Sequence, residues 1–270
     1  MLRYCLPILA VIGFWSRGAV ADPATDRGRA TDADARFDFA IALPPFPYGA
    51  FEVNSTHIMN WANGSSPLEL KDQAKGLYAV EKQKDIVEEK LADGWLVRYM
   101  ATDGSAQAFV VRGMLGMNLE CKPTSLDAAE SADHVAMCLH MRVDAKKLVV
   151  PISLGKNRDV RLTRLMKRED ERDMQRVSVR VSEATSSDPK TVAAAKPYPK
   201  TGKILQRRRV GGGFAVLVQG NDDDERTGET RYEVIVRTKV GGSDLMCTAS
   251  EASRRLAAID LDTCLALRRP

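Results

Sequence analysis

Apolar residues gather in three short runs, 86–91, 95–100 and 106–114, and the breaks between them carry Asp93-Gly94 and Asp103-Gly104. Short apolar runs bounded by turn residues predict strands, and Asp-Gly between two such runs is a strong hairpin signal. The three runs therefore read as one antiparallel meander. An earlier strand over 56–61 runs into Asn63-Gly64, after which a Ser-Pro start opens a helix through Leu68, Leu70, Ala74 and Leu77. Proline suits that start because the first N–H groups of a helix have no partner within it. A short piece carrying Cys121 follows the meander, then a helix over 125–139.

The same order returns downstream. A strand over 148–154 answers one over 37–43, and 177–181 answers 56–61. A helical stretch after Pro189 is cut short by Pro197 and Pro199. Strands follow around Ile204, Val216 and Val234, then a helix over 250–265. Set side by side, Gly94-Trp95 faces Gly213-Phe214, Gly116 faces Gly242, Leu119 faces Leu245, and Ser65-Ser66-Pro67 faces Ser187-Asp188-Pro189. The second copy carries a longer loop, 220–228. The expectation is an α+β tandem repeat of two small modules, 37–143 and 144–270, each an antiparallel meander with helices on one face. The charged run 167–173 reads as an exposed helix end or loop.

The start of the chain sets the compartment. Arg3 precedes an unbroken apolar run, 5–15, and Ala19-Val20-Ala21 offers small residues before Asp22. That is the signature of a cleaved secretory signal, 1–21. The run is shorter than the roughly 20 apolar residues of a membrane span, so no integral membrane protein is expected. Residues 22–36 are polar and lack periodicity, which predicts a flexible leader. Cleavage removes Arg3 and Arg17, taking the formal charge from +4 to +2. With 28% charged residues of both signs, a nearly neutral chain makes no electrostatic case for nucleic acid. The local run Arg207-Arg208-Arg209 reads as a solvated sheet edge with basic gatekeepers.

Four cysteines remain after the signal: Cys121, Cys138, Cys247 and Cys264. An even number in an exported chain predicts disulfides. Both local pairs are C-x16-C followed by Leu-x-x-Arg, so the expected bridges are Cys121–Cys138 and Cys247–Cys264.

A competing chemistry is soft-metal binding by the first module. Cys121, His134, Cys138 and His140, among several methionines, are ligand types for copper or zinc. The second module argues for disulfides instead: Asp260 replaces His134 and Ala266 replaces His140, while both cysteines stay. Other motifs are weaker. Ser153 to Lys156 fits S-x-x-K and Lys200-Thr201-Gly202 fits K-T-G, without the intervening elements that penicillin-binding chemistry requires. The acidic run 221–225 lacks the alternate spacing of a calcium loop. The histidines His57, His134 and His140 lie near no nucleophile motif. No cofactor is implied.

The pattern Gly-Trp, strand, Gly, strand, Cys, helix, Cys-Leu-x-x-Arg resembles a loosely defined set of exported bacterial proteins of unknown function. Trp95, Gly116, Cys121, Cys138 and Arg142 carry it in the first module; Gly213, Gly242, Cys247, Cys264 and Arg268 carry it in the second, with Phe214 for Trp. Such modules are similar in outline to the PsbP-like α/β/α sandwich, which implies binding and assembly rather than catalysis. The resemblance supplies no catalytic residue. The expected function is a non-catalytic, periplasmic or secreted binding protein whose partner is another protein or a small envelope ligand; an inhibitor or immunity role is one form of it. The alternatives are a soft-metal protein using the first module and a secreted hydrolase with an unrecognised site.

Overall fold

The computed structural model describes residues 37–46, 49–61, 66–123, 128–167, 174–184, 203–221 and 230–270. The signal, the leader, the helix after Pro189 and most of the 167–173 and 221–225 runs lie outside them. In chain order come β1 (Phe39–Leu43), β2 (Ala50–Val53), β3 (Thr56–Asn60), α1 (Pro67–Leu77), β4 (Lys84–Lys90), β5 (Gly94–Met100), β6 (Ala106–Met114), β7 (Met117–Pro123), α2 (Ala128–His140) and β8 (Arg142–Asp144). There follow β9 (Lys147–Ile152), β10 (Asp159–Lys167), β11 (Met174–Glu183), β12 (Lys203–Val210), β13 (Gly213–Asn221), β14 (Thr230–Val240), β15 (Ser243–Glu251), α3 (Arg254–Leu265) and β16 (Leu267–Arg268). The described chain is thus mostly β, with three α-helices.

Two antiparallel sheets result. The large one has twelve strands, ordered β12-β13-β14-β15-β11-β10-β2-β3-β7-β6-β5-β4, and the small one is β16-β1-β9-β8. Both orders are symmetric: across the β2–β10 junction each strand faces the one eight places later in the chain, and β1 meets β9 in the same way. The junction is a true ladder, from Ala50 opposite Leu165 to Val53 opposite Leu162. The stretches predicted as separate modules therefore share one sheet. They also share one core, in which Phe39 and Ile41 of β1 and Val150 and Ile152 of β9 pack with Phe51, Val53 and Leu162. β1 is buried at every position, which explains its unbroken apolar run.

Local chemistry accounts for the helices. Ser66 caps α1 by accepting from Glu69 N at 3.3 Å, while Glu69 Oε2 accepts from Ser66 N at 2.6 Å, a reciprocal capping box. Ser253 caps α3 by accepting from Leu256 N. On α3, Ala257, Asp260, Leu261 and Cys264 recur at helical spacing and form the buried face.

The expectation that the helices share one face of the meander is corrected. Leu70 and Ala74 of α1 pack with Val97, Tyr99, Phe109 and Val111, whereas Ala136, Met137 and Cys138 of α2 belong with Leu96, Ala108 and Val110. Neighbours along a strand point to opposite faces, so the meander is covered on both sides. The apolar doublets Leu96-Val97 and Val110-Val111 are the sequence trace of this. β10 and β11 pair in register from Asp159 opposite Ser182 to Lys167 opposite Met174, so Lys167, the first residue of the charged run, ends a strand; 168–173 lie outside the described residues.

Candidate functional site

Each disulfide ties a helix to the strand before it. Cys121 of β7 bonds Cys138 of α2, and Cys247 of β15 bonds Cys264 of α3, with Cα separations of 5.8 and 5.7 Å. Such bridges belong to oxidising compartments. All four sulfurs are deeply buried. In the bonded form Cys121 and Cys138 carry no thiolate to offer a metal. His134 Nδ1 hydrogen-bonds Thr56 Oγ1, and the His140 ring stands edge-on to Phe37 at 5.7 Å. Among the described residues, no group of three or more His, Cys, Asp or Glu is placed to hold a metal ion.

Two concavities flank α2. The first, of about 420 Å³, lies between α2, the β2–β3 turn and the β9–β10 loop, and is lined by Asn54, Asp133, His134, Ser153, Lys156 and Asp159 among others. It gathers Ser153 and Lys156 of the S-x-x-K match, but on a loop: Ser153 Oγ accepts from Gly155 N at 3.4 Å. Asn54 is held in the left-handed region (φ 48°), where its Oδ1 accepts from Arg161 N at 2.8 Å.

The second concavity, of about 470 Å³, is mainly apolar. Ala132, Val135, Ala136 and Leu139 of α2 form one wall, spaced as one helix face. Met100, Ala106 and Ala108 form the floor, with Arg98 and Gln107 at the rim. In the sheet register Arg98 stands opposite Ala108, on the α2 side. At the matching register position β13 carries Leu217 opposite Val234, and both are fully buried. The large apolar side chains left exposed among the described residues are also unevenly spread. Met59, Leu68, Leu77, Ile86, Val87 and Val143 precede β9, and only Ile204 follows it.

Charged groups inside the fold are mostly engaged. Glu120 is 2% exposed and accepts from the Tyr78 hydroxyl. Burial pushes its carboxyl above the usual range, against the pull of Tyr78, Trp61, Lys122 and His57. Lys122 Nζ lies 3.2 Å over the Tyr78 ring, and burial holds it below its ordinary value. Glu52, also buried, pairs with Arg176 at 2.8 Å and His57 at 3.2 Å. Asp260 of α3, four residues before Cys264 as His134 is four before Cys138, is 1% exposed. Burial, and then Glu251 beside it, pushes Asp260 up to about 8, while Arg164 pulls it down. The Tyr78–Glu120 and Glu52–Arg176 pairings were not legible in the sequence, because each joins elements distant in the chain. The paired arginines of the Cys-Leu-x-x-Arg pattern diverge: Arg142 is exposed, whereas Arg268 pairs with Asp144 at 3.0 Å.

Among the described residues no helix is long and apolar enough to cross a membrane. No protein-family model and no curated protein matches the sequence. Among solved structures, the chain is similar to apo immunity protein TplEi of the T6SS from Pseudomonas aeruginosa, at 12% identity over 86% of this chain and 92% of that one, with a TM-score of 0.38. TplEi complexed with an "L" peptide gives 11% identity over 85% and 92%, with a TM-score of 0.40. A chain of the Tle4–Tli4 complex gives 10% identity over 85% of this chain and 97% of that one, again with a TM-score of 0.40. At these values the likeness assigns the chain to no family.

Proposed function

We propose that the chain is an exported, non-catalytic binding protein that meets its partner through the apolar groove between α2 and the β5–β6 hairpin. The groove carries the reading. It is open and lined largely by aliphatic side chains in one half, while at the matching register position of the other half Leu217 and Val234 are buried. An apolar surface left open on a disulfide-braced scaffold marks an interaction site. Immunity to, or inhibition of, another exported protein is one form of such binding; the distant likenesses reported above carry no part of the reading.

Export rests on the 1–21 signal pattern and the two bridges. A duplicated module, with halves 37–143 and 144–270, is the simplest origin of the symmetric strand order and the matched cysteine pairs. A close-approach glycine supports it in each half: a Cβ on Gly94 would lie 1.8 Å from Val111 O, and one on Gly213 would lie 1.9 Å from Arg237 O.

The test is a photo-crosslinker placed at Val135 in the host's own envelope, followed by reconstitution of any captured protein with the purified chain. A stoichiometric complex that is lost with Val135→Glu supports the reading. Turnover of ester or peptide substrates, abolished by His134→Ala and untouched by Val135→Glu, would replace it with the hydrolase reading.

A further inference from the structure

Among the described residues the large sheet ends on two unpaired edges, β4 and β12, and their charged side chains are held differently. On β4, Glu88 is held by Lys71 at 2.6 Å and Lys75 at 2.5 Å, and Glu89 is held by Arg98 at 3.1 Å. On β12, Lys203, Arg207, Arg208 and Arg209 are all exposed, and the strand contains no acidic residue. Among the described residues none of these four cations forms an ion pair; Arg208 donates only to Gln206, at 3.3 Å. The two edges correspond position by position. Glu88, Glu89 and Lys90 stand opposite Val97, Leu96 and Trp95, as Arg207, Arg208 and Arg209 stand opposite Val216, Ala215 and Phe214. Both glutamates of the first edge are paired within the fold; among the described residues, the four cations of the second are not.

We propose that the β12 edge takes up an acidic, extended segment of a partner protein as a thirteenth strand. The inference rests on the binding reading above and adds a second contact, in the other half of the chain. A free edge presents a row of unpaired N–H and C=O groups that template another strand. Beyond the irregularity between Ile204 and Gln206, residues 206–210 pair in unbroken register with β13. Arg207 and Arg209 share one face and Arg208 takes the other, with same-face neighbours about 6.6 Å apart. An added strand with carboxylates at i and i+2 would set each one opposite an arginine, at cross-strand distances that suit a forked guanidinium–carboxylate pair.

Protection against self-pairing alone does not account for this edge. The irregularity already blunts it, and one lysine serves as a gatekeeper where four cations stand. The cluster does repel the same edge of a second copy, and so selects for an acidic partner over self-association. Polypeptide is favoured over nucleic acid because the edge offers acceptors as well as donors, and phosphates use only the donors.

The experiment titrates the full chain with a fluorescein-labelled peptide that alternates Glu with Val and Thr. Beside it run the same peptide with proline at alternate non-Glu positions, a Lys-for-Glu peptide, and a single-stranded DNA of equal charge. Saturable binding of the acidic peptide is expected. It should weaken at least tenfold with the proline peptide and at least tenfold with Arg207→Glu/Arg209→Glu or Arg207→Gln/Arg209→Gln, at unchanged thermal midpoint. Equal binding of the acidic and proline peptides would overturn the proposal by reducing the edge to a charge patch. DNA binding as tight as the acidic peptide, no peptide binding at all, or indifference to both double variants would also overturn it. The groove reading fails separately: a reconstituted complex sensitive to Val135→Glu but not to Arg207→Glu/Arg209→Glu sinks only the edge.

Discussion

Arg112 of β6 grips Asp93 as a fork, from Nε to Oδ1 at 2.9 Å and Oδ2 at 3.1 Å and from Nη2 to Oδ2 at 2.8 Å. Its Nη1 meanwhile donates to the carbonyls of Leu139 and Met141 at the end of α2, at 3.0 and 2.6 Å. One guanidinium thus joins the β4–β5 turn to the helix that carries Cys138 and walls the groove. The second half uses a similar fork, from Arg237 to Asp244.

Replacing Arg112 by alanine removes a charged fork and leaves α2 carbonyls without their donor. A loss of about 2–3 kcal/mol is expected in urea unfolding. Arg112→Lys should recover less than half of it, since an ammonium cannot span both acceptor sets. Equal stability of the lysine variant and the parent would show that charge alone suffices.

The close-approach glycines make a sharper contrast. Gly94→Ala drives a methyl into the Val111 carbonyl, and Gly213→Ala does the same at Arg237. Each should cost about 3 kcal/mol or more through forced backbone movement. Gly76 lies in α1 with nothing near its missing Cβ. Gly76→Ala should therefore stabilise, by up to about 1 kcal/mol. Thermal unfolding of the three variants gives opposite signs if the packing is as described.

Each bridge closes a loop with a sequence separation of 17 residues. Serine replacement of both cysteines of one pair is expected to cost about 3 kcal/mol on the chain-entropy model. Intact-mass analysis after alkylation should show Cys121, Cys138, Cys247 and Cys264 unlabelled before reduction and all four labelled after it. Labelling before reduction, together with stoichiometric copper or zinc, would instead revive the soft-metal reading at Cys121, His134, Cys138 and His140.

Stability should fall with rising pH because of Asp260. Its folded value of about 8 lies above the unfolded one of about 3.9. Between the two, the folded chain keeps a proton that the unfolded chain has lost. The contribution is complete below the unfolded value and is lost as pH rises through the folded one. Glu251 on β15, raised by burial, and Glu120, raised likewise, slope the same way. Urea midpoints measured from about pH 5 to pH 8 should decline, and Asp260→Asn should flatten the decline. An unchanged slope in that variant would assign the effect to other groups.

Much of the local structure was legible in the residues. The meander strands, the Ser66-Pro67 helix start, the hairpin turns and both cysteine pairs are set by neighbours in the chain or by matched spacing. The Arg207–Arg209 run was also read correctly as a sheet edge, since alternating basic side chains suit an exposed strand. β2 and β10 were not seen. Each is a short or mixed-polarity strand whose meaning lies in its pairing with the other. The groove was invisible for a similar reason: Ala132, Val135, Ala136 and Leu139 look like any buried helix face until the sheet beneath them is seen to stop short.

The sequence by itself determined the meander strands, the three helices, the Asp-Gly turns and which cysteines bond, because those outcomes depend on backbone preference and short loops. Only the tertiary structure decided that both halves share one sheet, that α1 and α2 cover opposite faces, and which charges are spent inside the fold. Pairings between segments far apart in the chain are chosen by mutual burial of surfaces, and no single stretch of residues carries that information.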